Sequence, residues 1–321
     1  MSLVVDGVVK RFGAVTALDG LSFEAPTGQV FGFLGANGAG KTTTMRIALG
    51  VIQPDAGAIT WDGRSTLDLP RAVFGYLPEE RGLYPRMRVL DQLVFFAGLH
   101  GVPADQARRR AREWLERLRI PELADRPAEE LSKGNQQKIQ FLAAVLHDPE
   151  VLLMDEPFTG LDPVNASLLR EAFLELRERG RTLVFSTHQM ETVEAMCESV
   201  AIIDRGRLVV AGELREVKRA ARGRALRIGF ETAGETAWLD GLDGVRIVRP
   251  GVDEVELALD PSLEPDDVLA AALARGLSVR RFEVLEPSLE QLFIERVGRP
   301  AGDEASLAPT RAEASADAER R

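Results

Sequence analysis

Residues 35–42 read Gly-Ala-Asn-Gly-Ala-Gly-Lys-Thr, which fits the pattern G-x-x-x-x-G-K-[ST]. The run follows Val30-Phe31-Gly32-Phe33-Leu34, apolar throughout, as a strand buried on both faces must be. It precedes a stretch over 42–49 that reads as helix. In that context three glycines let the backbone curl so that successive N–H groups face one centre and bind phosphate oxygens. The helix start adds the positive end of its dipole. Lys41 then neutralises the outer phosphates and the Thr42 hydroxyl ligates magnesium. Short strand-like runs alternate with helical patterns from residue 1 to about 220, with further apolar strands at 151–154 and 182–185. This alternation predicts an α/β fold, a mainly parallel sheet flanked by helices.

Asp155-Glu156 directly follows the 151–154 strand, where a magnesium-binding carboxylate stands beside a phosphate loop. Asp155 holds the metal through water on this reading, and Glu156 polarises the attacking water as general base. These residues by themselves describe a phosphate-loop NTPase, which could be a kinase, a motor or a transporter engine. Between the strands lies a helical insertion, about 87–148. Its helix over 103–119 puts Ala107, Ala111, Trp114, Leu115 and Leu118 on one face. Arg108, Arg109, Arg110 and Arg112 lie around the other faces, interleaved with Glu113 and Glu116, and read as a solvated surface.

Composition narrows the classes. Fifty acidic against 40 basic side chains give a net charge of −10, which argues against a general nucleic-acid binder. The single cysteine, Cys197, allows no intramolecular disulfide, and no Cys/His cluster offers a zinc site. No apolar run approaches the roughly 18–20 residues that cross a bilayer, and the first residues lack signal-peptide order. A membrane role is therefore expected to come through a partner.

Leu131-Ser132-Lys133-Gly134-Asn135-Gln136-Gln137, upstream of the Asp-Glu pair, resembles the signature L-S-G-G-Q of the ABC family. Ser132 is placed to cap a helix, and its hydroxyl, the Gly134 amide and the helix dipole make a second anion site. Gly160-Leu161-Asp162 resembles the family's D-loop, and His188, in Ser186-Thr187-His188, its switch histidine. Phe12 sits where members keep a ring stacked on adenine. The resemblance to ABC-transporter ATP-binding subunits covers about 3–220.

It implies that ATP and Mg2+ are bound through Phe12, Gly35, Asn37, Gly38, Gly40, Lys41, Thr42 and Thr43, with Thr42, Glu79 and Asp155 on the metal. It further implies that Glu156, His188 and Lys41 are catalytic. Ser132, Gly134 and Asp162 then act across a dimer on nucleotide held by a second ATP-binding subunit. The expected partners are that second subunit, in a homodimer, and an integral-membrane permease; no nucleic acid is expected. The expected location is the cytoplasmic face of the cell membrane. Lys133, Asn135 and Glu79 depart from the common family residues. With the C-terminal run Glu286-Pro287-Ser288-Leu289-Glu290-Gln291-Leu292-Phe293, they resemble the bacterial exporter subgroup related to sodium-extrusion ATP-binding proteins. The rival reading is a soluble ABC ATPase acting on ribosomes or DNA. A scaffold with a dead site is opposed by Lys41, Asp155 and Glu156.

A second unit is expected over 222–298, beginning at Arg222-Gly223. Strands at 225–231, 245–248, 255–259 and 279–285 and helices at 235–242 and 265–275 give the order β-α-β-β-α-β of a small ferredoxin-like α+β domain. A closing helix follows at 288–297. The tail, 299–321, has almost no apolar anchors and is expected to be disordered.

Overall fold

A computed structural model describes residues 2–80, 82–220, 225–231, 236–251, 253–260, 262–285 and 288–297. Strands β1 (Ser2–Phe12) and β2 (Val15–Pro26) make a hairpin whose tip pairs Phe12 with Val15. Strand β3 (Val30–Leu34) leads through the glycine-rich loop into α1 (Lys41–Ala48). Then come β4 (Ala56–Trp61), β5 (Arg64–Ser65) and β6 (Phe74–Leu77). The insertion supplies α2 (Val89–Leu99), α3 (Ala104–Arg117) and α4 (Lys133–Val145). After it run β7 (Val151–Asp155), α5 (Pro163–Glu178), β8 (Thr182–Thr187), α6 (Met190–Met196), β9 (Ser199–Asp204) and β10 (Arg207–Glu213).

The strand order β10-β9-β3-β8-β7-β6 forms the central sheet, parallel throughout except between β9 and β10. The expectation of one mainly parallel sheet was incomplete. Strands β2, β1, β4 and β5 form a separate antiparallel sheet, because Gly13-Ala14 closes a hairpin too short for a parallel crossover. Phe23 of β2 stacks on Phe31 of β3, centroids 5.5 Å apart, and leans on Phe33 at 4.9 Å. These rings join the two sheets in one core with Val5, Ile59, Leu153 and Val184.

Helix α3 buries Ala107, Ala111, Trp114 and Leu115, the face that its periodicity indicates. Arg108, Arg109 and Arg112 are exposed, whereas Arg110 donates to the Leu146 carbonyl at 3.0 Å.

The chain divides after Glu213, and the second compact unit spans Leu214–Glu295. It opens with α7 (Leu214–Ala220) and continues with β11 (Ala225–Phe230), β12 (Val245–Arg249), β13 (Glu254–Leu259), α8 (Pro265–Ala274) and β14 (Val279–Leu285). Helix α9 (Leu289–Val297) follows. The strands lie in the antiparallel order β12-β13-β11-β14. The helix expected at 235–242 is instead a 3-10 turn, Ala237–Gly241. Five residues ending in glycine are too few to propagate a helix past its unfavourable nucleus. Leu226, Ile228 and Phe230 pack with Val255, Leu257, Val268 and Ala272 as a core of their own. The expected boundary at Arg222-Gly223 and the expected disordered tail lie outside the described residues.

Candidate functional site

The loop between β3 and α1 owes its course to positions where no side chain fits. At Gly35 a Cβ would come within 2.6 Å of the Ile203 carbonyl. Gly40 takes φ +108°, and a Cβ there would meet Leu18 at 2.6 Å and the Ala17 carbonyl at 2.7 Å. The buried Lys41 ammonium donates to the Gly35 and Ala36 carbonyls at 2.7 and 3.2 Å. Burial pushes its pKa down, against the pull of Glu156, Asp155 and Glu79. A cavity of about 260 Å³ opens here, lined by Asn37, Gly38, Gly40, Lys41, Thr42 and Thr43 with Glu79, Asp155 and Glu156. Residues from three separate stretches of chain thus meet on one cavity.

Asp155 ends β7 almost fully buried. Its carboxylate accepts from the Thr42 hydroxyl at 2.5 Å and from the Ser186 hydroxyl on β8. The next residue, Glu156, adopts φ +49°, an uncommon conformation for a side chain of this size, and donates its N–H to the Ser186 carbonyl at 3.1 Å. That kink turns its carboxylate toward β8. There Oε1 accepts from the His188 N–H at 3.0 Å and from Nδ1 of the His188 ring at 2.7 Å. Facing an ionised carboxylate, Nδ1 must carry the proton. Oε2 accepts from the Thr187 hydroxyl at 3.1 Å and the Thr159 hydroxyl at 3.2 Å. Four donors therefore fill the carboxylate.

Ser132 caps α4, accepting from the Asn135 N–H at 3.3 Å, and Gly134 is buried on the helix's first turn. Neither lines the cavity around Lys41. Asp162 caps α5, accepting from the Val164 and Asn165 N–H groups, both at 3.0 Å. The Asn165 N–H, the Asn165 side-chain amide and then the Val164 N–H hold its carboxyl below the usual range. Phe12 stands 49% exposed at the hairpin tip, outside the same cavity, which excludes core packing as its role. Lys10 lies 5.4 Å from its ring centroid.

The contacts of three residues escaped the sequence reading. The Asn165 side chain donates to the Asp162 carboxylate, and its Nδ2 would lie 3.0 Å from a Cβ at Gly134, so it bridges the two expected cross-dimer loops. Gln137 of α4 donates to the Pro157 carbonyl at 3.1 Å, joining that helix to the turn after Glu156. Gln140 donates to the carbonyls of Pro78 and Glu80, on either side of Glu79. For Gln137 and Gln140, nothing local to an amide side chain in a helix signals such partners.

The profile of the ABC transporter family matches residues 18–159, and that of the C-terminal domain of DrrA1-3-like ATP-binding proteins matches 212–297. The ABC transporter ATP-binding protein YhaQ of Bacillus subtilis is 45% identical over 296 residues, which is 92% of this chain and 98% of YhaQ. The chain belongs to the ABC transporter ATP-binding subunits. The Nod factor export ATP-binding protein I of Ralstonia nicotianae is 39% identical over 218 residues, 67% of this chain and 68% of that one. A solved structure of an ATP-binding subunit of an ABC transporter aligns with TM-score 0.64 and 31% identity, over 69% of this chain and 93% of that chain. ABC ATP-binding subunits bind and hydrolyse ATP, so the chain is an ATPase of the phosphate-loop α/β fold with an added α+β domain. Subunits of this family pair with membrane permeases.

Proposed function

We propose that the chain energises export of a small substrate through a separately encoded permease, working as a homodimer with Mg2+ and ATP at the cytoplasmic face of the membrane. Among the described residues no helix is long and apolar enough to cross a membrane. One relative is named for Nod factor export, which supports the exporter reading. Glu79, the signature departures and the C-terminal run support the subgroup that resembles sodium-extrusion proteins.

The donor set fits magnesium. The Thr42 hydroxyl and Asp155 carboxylate face each other as hard oxygens, with Glu79 on the same cavity. Among the described residues no group of three His, Cys, Asp or Glu side chains forms a metal site by itself. Thr42 and Asp155, with Glu79 beside them, are the residues that would hold the ion. When bound, the metal would supply charge neutralisation at the phosphates. Lys41 exchanges its two loop carbonyls for phosphate oxygens, a stronger charge-assisted partner.

The observation that carries the reading is the filled carboxylate of Glu156. A base whose lone pairs are all occupied must lose a donor before it can orient a water. His188 is the one ring donor and is 40% exposed on its side chain, so it is free to turn toward a γ-phosphate. Turning removes one of the two donors on Oε1, and Glu156 then takes a proton from the attacking water. Closure of a second copy, bringing its Ser132 and Gly134 to that phosphate, couples hydrolysis to dimerisation. Asn165 ties Asp162 to the same closing surface.

The test uses size-exclusion chromatography with ATP. Glu156→Gln is expected to bind ATP, stall hydrolysis and run as a dimer. Adding Ser132→Arg should return it to monomer by filling the second anion site. A double variant that dimerises as readily as the single one removes the signature role.

A further inference from the structure

We propose that Gln140 is a positioning residue that fixes the Glu79 loop, and thereby sets the strength with which the site holds its divalent cation. This rests on reading Glu79 as a metal-facing carboxylate. Glu79 is exposed and sits on a loop, where a free carboxylate would spread over many conformations. One amide removes that freedom. Nε2 of Gln140 donates to the Pro78 carbonyl at 3.0 Å and to the Glu80 carbonyl at 2.9 Å, so the backbone on both sides of Glu79 is held by a single side chain. The anchor itself is rigid. Gln140 lies 4% exposed in the middle of α4, between Ile139 and Phe141, which are fully buried.

The other half of the amide points to a task other than stability. Oε1 of Gln140 is buried and has no hydrogen-bond partner. A buried acceptor left without a donor is destabilising, and an apolar chain of the same size would avoid that cost. Gln140 also borders an apolar cavity of about 380 Å³, beside Pro78, Phe96 and Ala144, so such a chain would find apolar neighbours. The amide is thus a poor choice for packing and a good one for holding two carbonyls. Helix α4 starts at Ser132, which places the second anion site and the Glu79 anchor on one rigid rod. Whatever moves the signature end moves the Glu79 loop with it.

The test measures metal binding directly, in the full chain carrying Glu156→Gln so that ATP persists. Free Mn2+ is followed by electron paramagnetic resonance as it is titrated into the ATP complex. Gln140→Met keeps the volume and removes the donor. It is expected to weaken Mn2+ by about tenfold, the low end for residues that orient metal ligands. ATP affinity measured in EDTA should be unchanged, and thermal stability equal to or above that of the parent. Glu79→Ala should weaken Mn2+ similarly, and combining the two should add nothing further, because both act through one ligand. Unchanged Mn2+ affinity in Gln140→Met, with weakening in Glu79→Ala, overturns the role of Gln140 alone. Unchanged affinity in Glu79→Ala overturns the metal reading of Glu79 and the proposal with it. Multiplicative losses in the double variant show that Gln140 acts elsewhere, and also overturn it.

Discussion

At the residue scale the site depends on backbone that only a few residue types tolerate. Gly40 combines φ +108° with close approach to Ala17 and Leu18, so there is no direction in which a methyl group could relax. Gly40→Ala is expected to cost about 2–3 kcal/mol, from strain and overpacking together. Denaturant titration checks this, and a loss below about 0.5 kcal/mol would mean that the loop yields. The same loop was legible beforehand, since glycine spacing, Lys41 and Thr42 are adjacent in the chain and act through local geometry. The filled carboxylate of Glu156 was not. It needs a positive φ at a glutamate and partners 31 and 32 residues away, neither of which leaves a trace in the local sequence.

At the element scale, packing rather than propensity decides what α4 does. Lys138 donates to the Leu118 carbonyl at 3.1 Å from a buried position, and burial pushes its pKa down. Beyond the helix's end, His147 gives Nε2–H to the Phe74 carbonyl at 3.0 Å and stacks on His100, centroids 3.8 Å apart. Burial, and then the neighbouring His100 charge, lower the His147 pKa to about 4. Above about pH 6.5 the residue is neutral both folded and unfolded, so nothing is lost. As pH falls through that value the unfolded chain takes up a proton which the folded chain refuses until about pH 4, and stability declines across that window. With partial solvent access the decline should be about 1–2 kcal/mol. His147→Gln should lose less stability than wild type between about pH 7 and 5 in urea melts. Equal slopes would assign the acid sensitivity to other groups.

At the scale of the whole molecule two cores stand apart. One gathers Phe23, Phe31, Phe33 and their neighbours; the other gathers Leu226, Ile228, Phe230 and theirs. The two family profiles match one to each part, 18–159 in the first and 212–297 across the second. A chain ending at Glu213 is therefore expected to fold and bind ATP. Loss of the second unit is expected to weaken dimer formation or alter the regulation of turnover. Equilibrium binding and sedimentation check the two halves of that prediction. A folded but ATP-blind truncation would show that the second unit contributes to the site.

The amino-acid sequence by itself determined the strand–loop–helix around Lys41, the carboxylates at the end of β7 and the cap at Ser132. Each depends on residues within a few positions of one another, where backbone geometry and side-chain reach are settled locally. Only the tertiary structure decided that β1, β2, β4 and β5 leave the parallel sheet, that His188 closes on Glu156 and that Gln140 holds the Glu79 loop across 60 and 62 residues of chain. The physical reason is shared. A polar side chain in a helix or at a strand end offers the same donors whatever lies opposite, and the packing of Phe31, Phe141 and Phe185 in the interior determines what does lie opposite.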